Sequence, residues 1–234
     1  MNTDFIQIGN GEAVTRDRIP HLAFDDFRSQ ALHIVANGGK VVQFFAYPDG
    51  HAVNLLAVLR SDNLMLAGCR ATQAYPSLTA ECEPFHMFER EIAEQFGLRP
   101  EGHPWLKMVR YHANERGLPD VFGNDYSEDI PGNYDYYAVD GDEIHEVAVG
   151  PVHAGVIEPG HFRFNCIGER VLHLEIHLGY QHRGIEKLFL NADIKRLPIL
   201  AEGIAGDTAV GHSLCMAQAV EALAAIDTDA GARM

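Results

Sequence analysis

The chain has 234 residues, enough for one large domain or two modest ones. Lys and Arg number 18 against 33 Asp and Glu, a net charge of −15, which disfavours a nucleic-acid binder and direct attraction to an anionic membrane surface. With 47% hydrophobic residues a real core is expected, but no apolar run approaches the roughly 20 residues of a bilayer span.

The opening stretch, 1–18, has no long apolar core, so no signal peptide is expected there. Phe24, Phe27, Ala31 and Ile34 recur at helical spacing, and Asn37-Gly38-Gly39 predicts the stop. Residues 41–47 read as a strand, Pro48-Asp49-Gly50 as a turn, 53–59 as the return strand and 64–71 as a third. A small antiparallel sheet covered by helices follows from that order. The run from Pro84 to Gly97 predicts a helix with Phe85, Phe88, Ile92 and Phe96 on one face. Pro84 suits its first turn and Gly97 its C-terminal stop. The acids Glu89, Glu91 and Glu94 lie off that stripe.

Between Gly117 and Gly150 the character changes: nine acids, no Lys or Arg, and frequent Gly, Pro and Tyr. This predicts an extended acidic linker or surface arm whose tyrosines lie against something. Three regions result: a first domain over 1–116, the arm over 117–146 and a second domain over 147–234. In the last, Phe162, Phe164 and Cys166 alternate with Arg163 and Asn165. Leu172, Leu174, Ile176 and Leu178 alternate with His173, Glu175 and His177. With Ile167-Gly168-Glu169 between them, these runs predict a β-hairpin with one buried face. Ile185, Leu188, Phe189 and Ala192 then follow a helical period that Pro198 should end or kink. A last helix is expected from about Ala201 to Ala225, with Ala205, Ala209, His212, Met216, Val220 and Leu223 on one face. The fold class is α+β.

The candidate chemistry is sparse. Cys69, Cys82, Cys166 and Cys215 form no CxxC pair, so a disulfide scaffold, a zinc knuckle and an iron–sulfur cluster all lack their usual spacing. A reducing, cytoplasmic setting is the simplest reading. His153, His161, His173, His177, His182 and His212 cluster in the second half, without HExxH. His173 and His177 share a strand face with no nearby third ligand, so hydrogen-bonded or solvated histidines are expected. No phosphate loop is present. Gly102-His103-Pro104 reads as a tight turn that would place His103 either structurally or at an interface. The densest signal is Tyr180-Gln181-His182-Arg183-Gly184-Ile185-Glu186-Lys187. Arg183 can donate directional hydrogen bonds to a cofactor, cluster sulfurs or a carboxylate, and Glu186 sits near a helix N-terminus, where negative charge is favoured. Capping and salt bridging would use the same residues. Glu158 and Glu169 would relay protons if buried, or stand as surface acids.

Two stretches carry a resemblance. Phe88-Glu89-Arg90-Glu91, through Gln95-Phe96-Gly97 to Gly102-His103-Pro104, resembles the signature of the C-type subunit of respiratory NADH:quinone oxidoreductase. Gly150-Pro151-Val152-His153-Ala154-Gly155, then Glu158-Pro159-Gly160-His161-Phe162-Arg163-Phe164, and later Gly179 to Lys187, resemble the start of a membrane-bound nickel–iron hydrogenase large subunit. That family shares ancestry with the D-type, quinone-site subunit. The fused order resembles the large subunit of formate-hydrogenlyase-type complexes and covers roughly 24–225.

The resemblance implies a first part built as a C-type sheet with covering helices. The second part should be the opening of a hydrogenase-like domain that stops early, which a separate polypeptide could complete. Ala205 and Thr208 occupy the positions of two nickel-binding cysteines, and neither side chain replaces a soft thiolate, so no metal is expected on this chain. No cofactor is expected to be held by the chain alone. An iron–sulfur cluster is expected in a partner of the B-type or hydrogenase-small-subunit kind, tuned by His182 and Arg183, and a quinone is possible beside His153. Glu158 and Glu186 become candidate proton-path acids. Phe88, Ile92 and His103 become docking or structural residues. The expected role is a cytoplasmic, peripheral subunit of a membrane oxidoreductase, held to membrane subunits indirectly. A non-catalytic assembly protein and a hydrogenase large-subunit fragment are the alternatives.

Overall fold

The computed structural model describes residues 3–50, 52–110, 120–123, 136–151 and 159–226. It is a mixture of helices and mainly antiparallel sheet, consistent with the expected α+β class.

The first group of elements is β1 (Ile6–Ile8), β2 (His21–Leu22), α1 (Phe24–Ala36), β3 (Lys40–Asp49), β4 (Ala52–Arg60), β5 (Leu64–Ala71), β6 (Ala74–Pro76), α2 (His86–Phe96) and β7 (Arg99–Glu101). The main sheet has the order β1-β5-β4-β3, antiparallel throughout, with β2 lying parallel to β5 on the same edge as β1. Strand β4 is central, and its alternating Val53, Leu55, Ala57 and Leu59 are fully buried. Strand β3 runs through Pro48 to Asp49, two residues past its expected end. As an edge strand it tolerates a residue that cannot donate to a ladder.

Helix α1 forms as its spacing predicts and buries Phe27, Ala31 and Ile34 on the sheet. A run of rings ties the layers together: Phe5 to Phe27 at 5.7 Å, Phe27 to Phe44 at 6.2 Å, and Phe44 edge-on to Phe85 at 5.4 Å between centroids. Phe85 closes a short 3-10 turn, Glu83–Phe85, that takes up Pro84 before α2 begins. Gly97 ends α2 in the left-handed conformation, φ 64°, which glycine adopts without a Cβ penalty. Ile92 is buried, and Phe88 and Phe96 pack against the same core.

The second group is β8 (Ile144–Val149), β9 (His161–Ile167), β10 (Arg170–His177), α3 (Ile185–Leu190), α4 (Leu197–Glu202) and α5 (Ala209–Leu223). Strand β8 straddles the expected 146/147 boundary, and the sheet order is β10-β9-β8. The hairpin β9–β10 is present, with a bulge between Val171 and His173.

Its more deeply buried face is the polar one, against what hydrophobic alternation suggests, although Cys166 on the apolar side is buried too. His161, Asn165, Glu175 and His177 are buried, whereas Val147, Val149, Leu172, Leu174, Ile176 and Leu178 are all 40–47% exposed. The polar side is covered by Tyr136, Tyr137 and Lys107. Alternation identifies the two faces of a strand but not which one the chain covers.

Two helix expectations are also corrected. Pro198 does not end α3, which stops at Asn191. It lies in the first turn of α4, where its missing N–H costs nothing. The expected last helix is two helices, broken over 203–208 by Gly203, Gly206 and an extended Ala205 (φ −152°, ψ 128°). None of α5 is buried, and Val210 and Leu223 stand 82% and 78% exposed.

Candidate functional site

Helix α2 buries charge as well as rings. The Glu89 carboxylate, fully buried, accepts from Ser77 Oγ (2.6 Å), the Leu78 amide (2.8 Å), the Thr79 amide (3.1 Å) and Thr79 Oγ1 (2.5 Å). Further along, Arg90 and Glu94 sit four residues apart and so share a helix face. Arg90 donates to the carbonyls of Lys107 (Nε, 2.8 Å) and Met108 (Nη2, 2.8 Å). Glu94 accepts from the amides of Val109 (2.8 Å) and Arg110 (2.9 Å). The segment 107–110 is thus held through two carbonyls and two amides. These are charge-assisted bonds, the stronger class.

The other side of that segment meets the second group. Lys107 Nζ lies 2.7 Å from Glu175 on β10. The Arg110 guanidinium bridges Glu91 of α2 (2.6 Å) and Glu186 of α3 (3.2 Å). Burial pushes the Glu91 carboxyl above its ordinary range, with Arg110 opposing and Glu186 and Glu94 adding to the rise. Gly179 (φ 93°) packs so closely on the Val109 carbonyl that a Cβ there would collide with it. Residues 107–110 therefore form a clamp joining α2 to the segment Gly179–Lys187.

Within that segment, His182 is half-buried and its amide donates to the Gly179 carbonyl (3.1 Å). Arg183 is exposed, and its Nη1 donates to the Gly203 carbonyl (2.8 Å). Glu186 lies in the first turn of α3, largely exposed, and pairs with Arg110. The structure brings these three together on one short stretch beside the clamp. His103 is elsewhere, after β7. It accepts from the Trp105 amide at Nδ1 (3.0 Å), which leaves Nε2–H to donate to the His86 carbonyl (3.3 Å). Burial lowers its pKa, in keeping with that neutral tautomer. His86 stacks on His103 (5.3 Å) and Trp105 (5.9 Å).

Phe88 and Ile92 face the first group's core and not the clamp. Ala205 and Thr208 lie within the break before α5, where His212 Nδ1 is 3.0 Å from Thr208 Oγ1 and 2.9 Å from its carbonyl oxygen. His153 and Glu158 lie outside the described residues. Among the described residues, no three His, Cys, Asp or Glu side chains gather in a metal-binding arrangement, and no helix is long and apolar enough to cross a membrane. Cys69 is buried, and burial pushes its thiol up to about 12, the state of an inert core cysteine.

Sequence reasoning missed Glu94, Lys107, Arg110, Glu175 and Gly179 as members of the site. The spacing of Arg90 and Glu94 was the available signal, since a charged pair on one face needs partners when buried.

Residues 41–123 match the family model described as respiratory-chain NADH dehydrogenase, 30 Kd subunit. Over 170 residues the chain is 26% identical to hydrogenase-4 component G of Escherichia coli (strain K12), covering 64% of this chain and 29% of that protein. It is 27% identical over 181 residues to formate hydrogenlyase subunit 5 of the same organism, covering 68% and 30%. It is also 27% identical over 153 residues to the C/D subunit of NADH-quinone oxidoreductase from Phocaeicola vulgatus, covering 55% and 29%. The chain thus spans under a third of the length of these relatives. It is similar to oxidoreductase subunits of the complex-I-like and hydrogenase kinds.

Proposed function

We propose that the chain is a peripheral subunit of a complex-I-like or formate-hydrogenlyase-like membrane oxidoreductase, with a C-type unit followed by the opening of a D-type or hydrogenase-like unit. The observation that carries this reading is the clamp. The part that matches the 30 Kd subunit model includes the segment 107–110, and that segment seats Gly179–Lys187 through Gly179, Arg110 and Glu186. Similarity to relatives named as hydrogenase and NADH-quinone oxidoreductase subunits supports the reading.

In this role the first unit works as a mount. Glu94 and Arg90 fix the clamp, and the clamp fixes the backbone from which His182 and Arg183 would reach an iron–sulfur cluster held by a partner subunit. Hydrogen bonds from such groups tune a cluster's potential. Glu186, largely exposed beside Glu91, and Glu158 are the acids that would pass protons. His153 is the residue that would meet a quinone. Nickel chemistry is not assigned to this chain, because Ala205 offers no donor atom and Thr208 offers a hydroxyl already engaged with His212 in place of a soft thiolate. Attachment to the membrane would run through partner subunits.

In the assembled complex, Arg183→Ala is expected to shift the midpoint potential of the partner's nearest cluster, read by redox-poised EPR. An unchanged potential in a fully assembled complex would sink the contact with the cluster and leave a non-catalytic assembly role.

A further inference from the structure

The apolar face of the three-stranded sheet stands open. Cross-strand register sets Val149, Phe162 and Ile176 in one row and Val147, Phe164 and Leu174 in the next. In a third row Cys166 is buried between the exposed His145 and Val171. Val147, Val149, Leu174 and Ile176 are 40–42% exposed, and the two phenylalanines are half-buried. No charge interrupts the two full rows. A sheet that is apolar on one face ordinarily buries it against another element. Here the helices that follow, α3, α4 and α5, pack chiefly on one another.

One end of this face is acidic. Register pairs Ile144 with Ile167 where β8 begins and β9 turns into β10. Asp142 and Glu143 lead into that end and Glu169 occupies the turn, all three exposed, against one cation in the same turn, Arg170. We propose that the face docks a different protein, one that presents an apolar surface with a basic margin. An apolar centre with a polar rim is the build of a specific protein contact, and open apolar patches of this kind mark such contacts. The rim charge selects the partner by its sign.

A second copy of this chain fits the face less well. The rows span about 10 Å across three strands and about 15 Å along them, well under the roughly 800 Å² per side of a stable interface. Each copy carries a net charge of −15, so two copies would repel across a contact too small to offset it. The same charge draws a basic-rimmed partner in, and Leu172 and Leu178, 40% and 47% exposed, extend the seat. The inference stands on this face alone and does not depend on the redox role.

Photocross-linking of the full chain in its native cells tests this. A benzophenone side chain is placed at Leu174, at Val147 or, as a control, at Val42 on β3, which is 46% exposed, and the cross-linked peptide is sequenced. The expected adduct from Leu174 and Val147, absent from Val42, is one apolar segment of a different protein with Lys or Arg at its margin. Its yield should fall about tenfold in the double variant Glu143→Lys, Glu169→Lys, because rim charge governs association. An adduct with a second copy, with a segment of the same polypeptide or with a segment that lacks basic residues would overturn the proposal, and so would no adduct at all. These outcomes are read in the chain with its acids intact, whether or not the double variant folds. An unchanged yield in a folded double variant would overturn it too.

Discussion

Replacing Gly179 by alanine is expected to pull the segment Gly179–Lys187 off the clamp. Two costs add. The residue holds φ 93°, outside the comfortable range of an L side chain, and its Cβ would collide with the Val109 carbonyl oxygen. Relief requires the two backbones to separate, which strains the Arg110–Glu186 and Lys107–Glu175 pairs. Strain and overpacking together amount to about 2–5 kcal/mol, and the loss falls on the joint between the two groups of elements. Hydrogen exchange should show lost protection at His182 and through α3, with β4 and β5 unchanged. Unaltered exchange at His182 would contradict the clamp.

The second large effect is expected at Glu89. Truncation to alanine removes one carboxylate but orphans four donors: the Ser77 hydroxyl, the Leu78 amide, and the amide and hydroxyl of Thr79. Bonds to a charged group contribute about 1.5–3 kcal/mol each, and a buried donor left unmade keeps its full desolvation cost. A total loss of about 3–5 kcal/mol is expected, since removing one side of a buried charged network is among the costlier changes. Urea unfolding followed through the main sheet measures it. A midpoint unchanged from the parent chain would mean that the 77–79 loop is held by something else.

The buried charged residues of α2 divide one task. Glu89 secures the helix to the first group, through the loop before it. Arg90 and Glu94 secure the segment that reaches the second group. A single helix therefore carries both the core rings of the first unit and the attachment of its neighbour, which explains why it is charged on sides that are buried.

Much of the first group was legible because its residues obey one rule at a time. Phe27, Ala31 and Ile34 keep the helical period and are buried, and the apolar run of β4 predicted a strand. Asn37-Gly38-Gly39 and Gly97 punctuate the helices where their conformational freedom leads one to expect it. The second group was less legible, for physical reasons. The alternation in β9 and β10 showed two faces, but the covered one is chosen by Tyr136, Tyr137 and Lys107, which are distant in sequence. Pro198 reads equally as a stop or as a first-turn residue, and only the chain's path after Asn191 decides. The stretch 203–208 has apolar residues at helical spacing, yet two glycines and an extended Ala205 break it.

Of the candidate site, His182, Arg183 and Glu186 were visible as a dense polar run at a strand-to-helix passage. Their mount was not. Glu94 looks like a surface acid on a helical wheel, and its partners are the backbone amides of Val109 and Arg110, which carry no side-chain signature. Glu175 and His177 looked like the solvent side of an amphipathic strand and are almost fully buried. In each case a long-range partner, absent from any local pattern, fixes the role.

Whether the chain is a peripheral redox subunit is tested most directly by isolating the tagged native protein from gently solubilised membranes. The subunits that accompany it are identified by mass spectrometry, and iron and nickel are quantified in the same sample. The predicted result is a stable set containing an iron–sulfur subunit and membrane subunits, with iron in stoichiometric amount and no nickel attributable to this chain. A lone protein without metals or partners would contradict it.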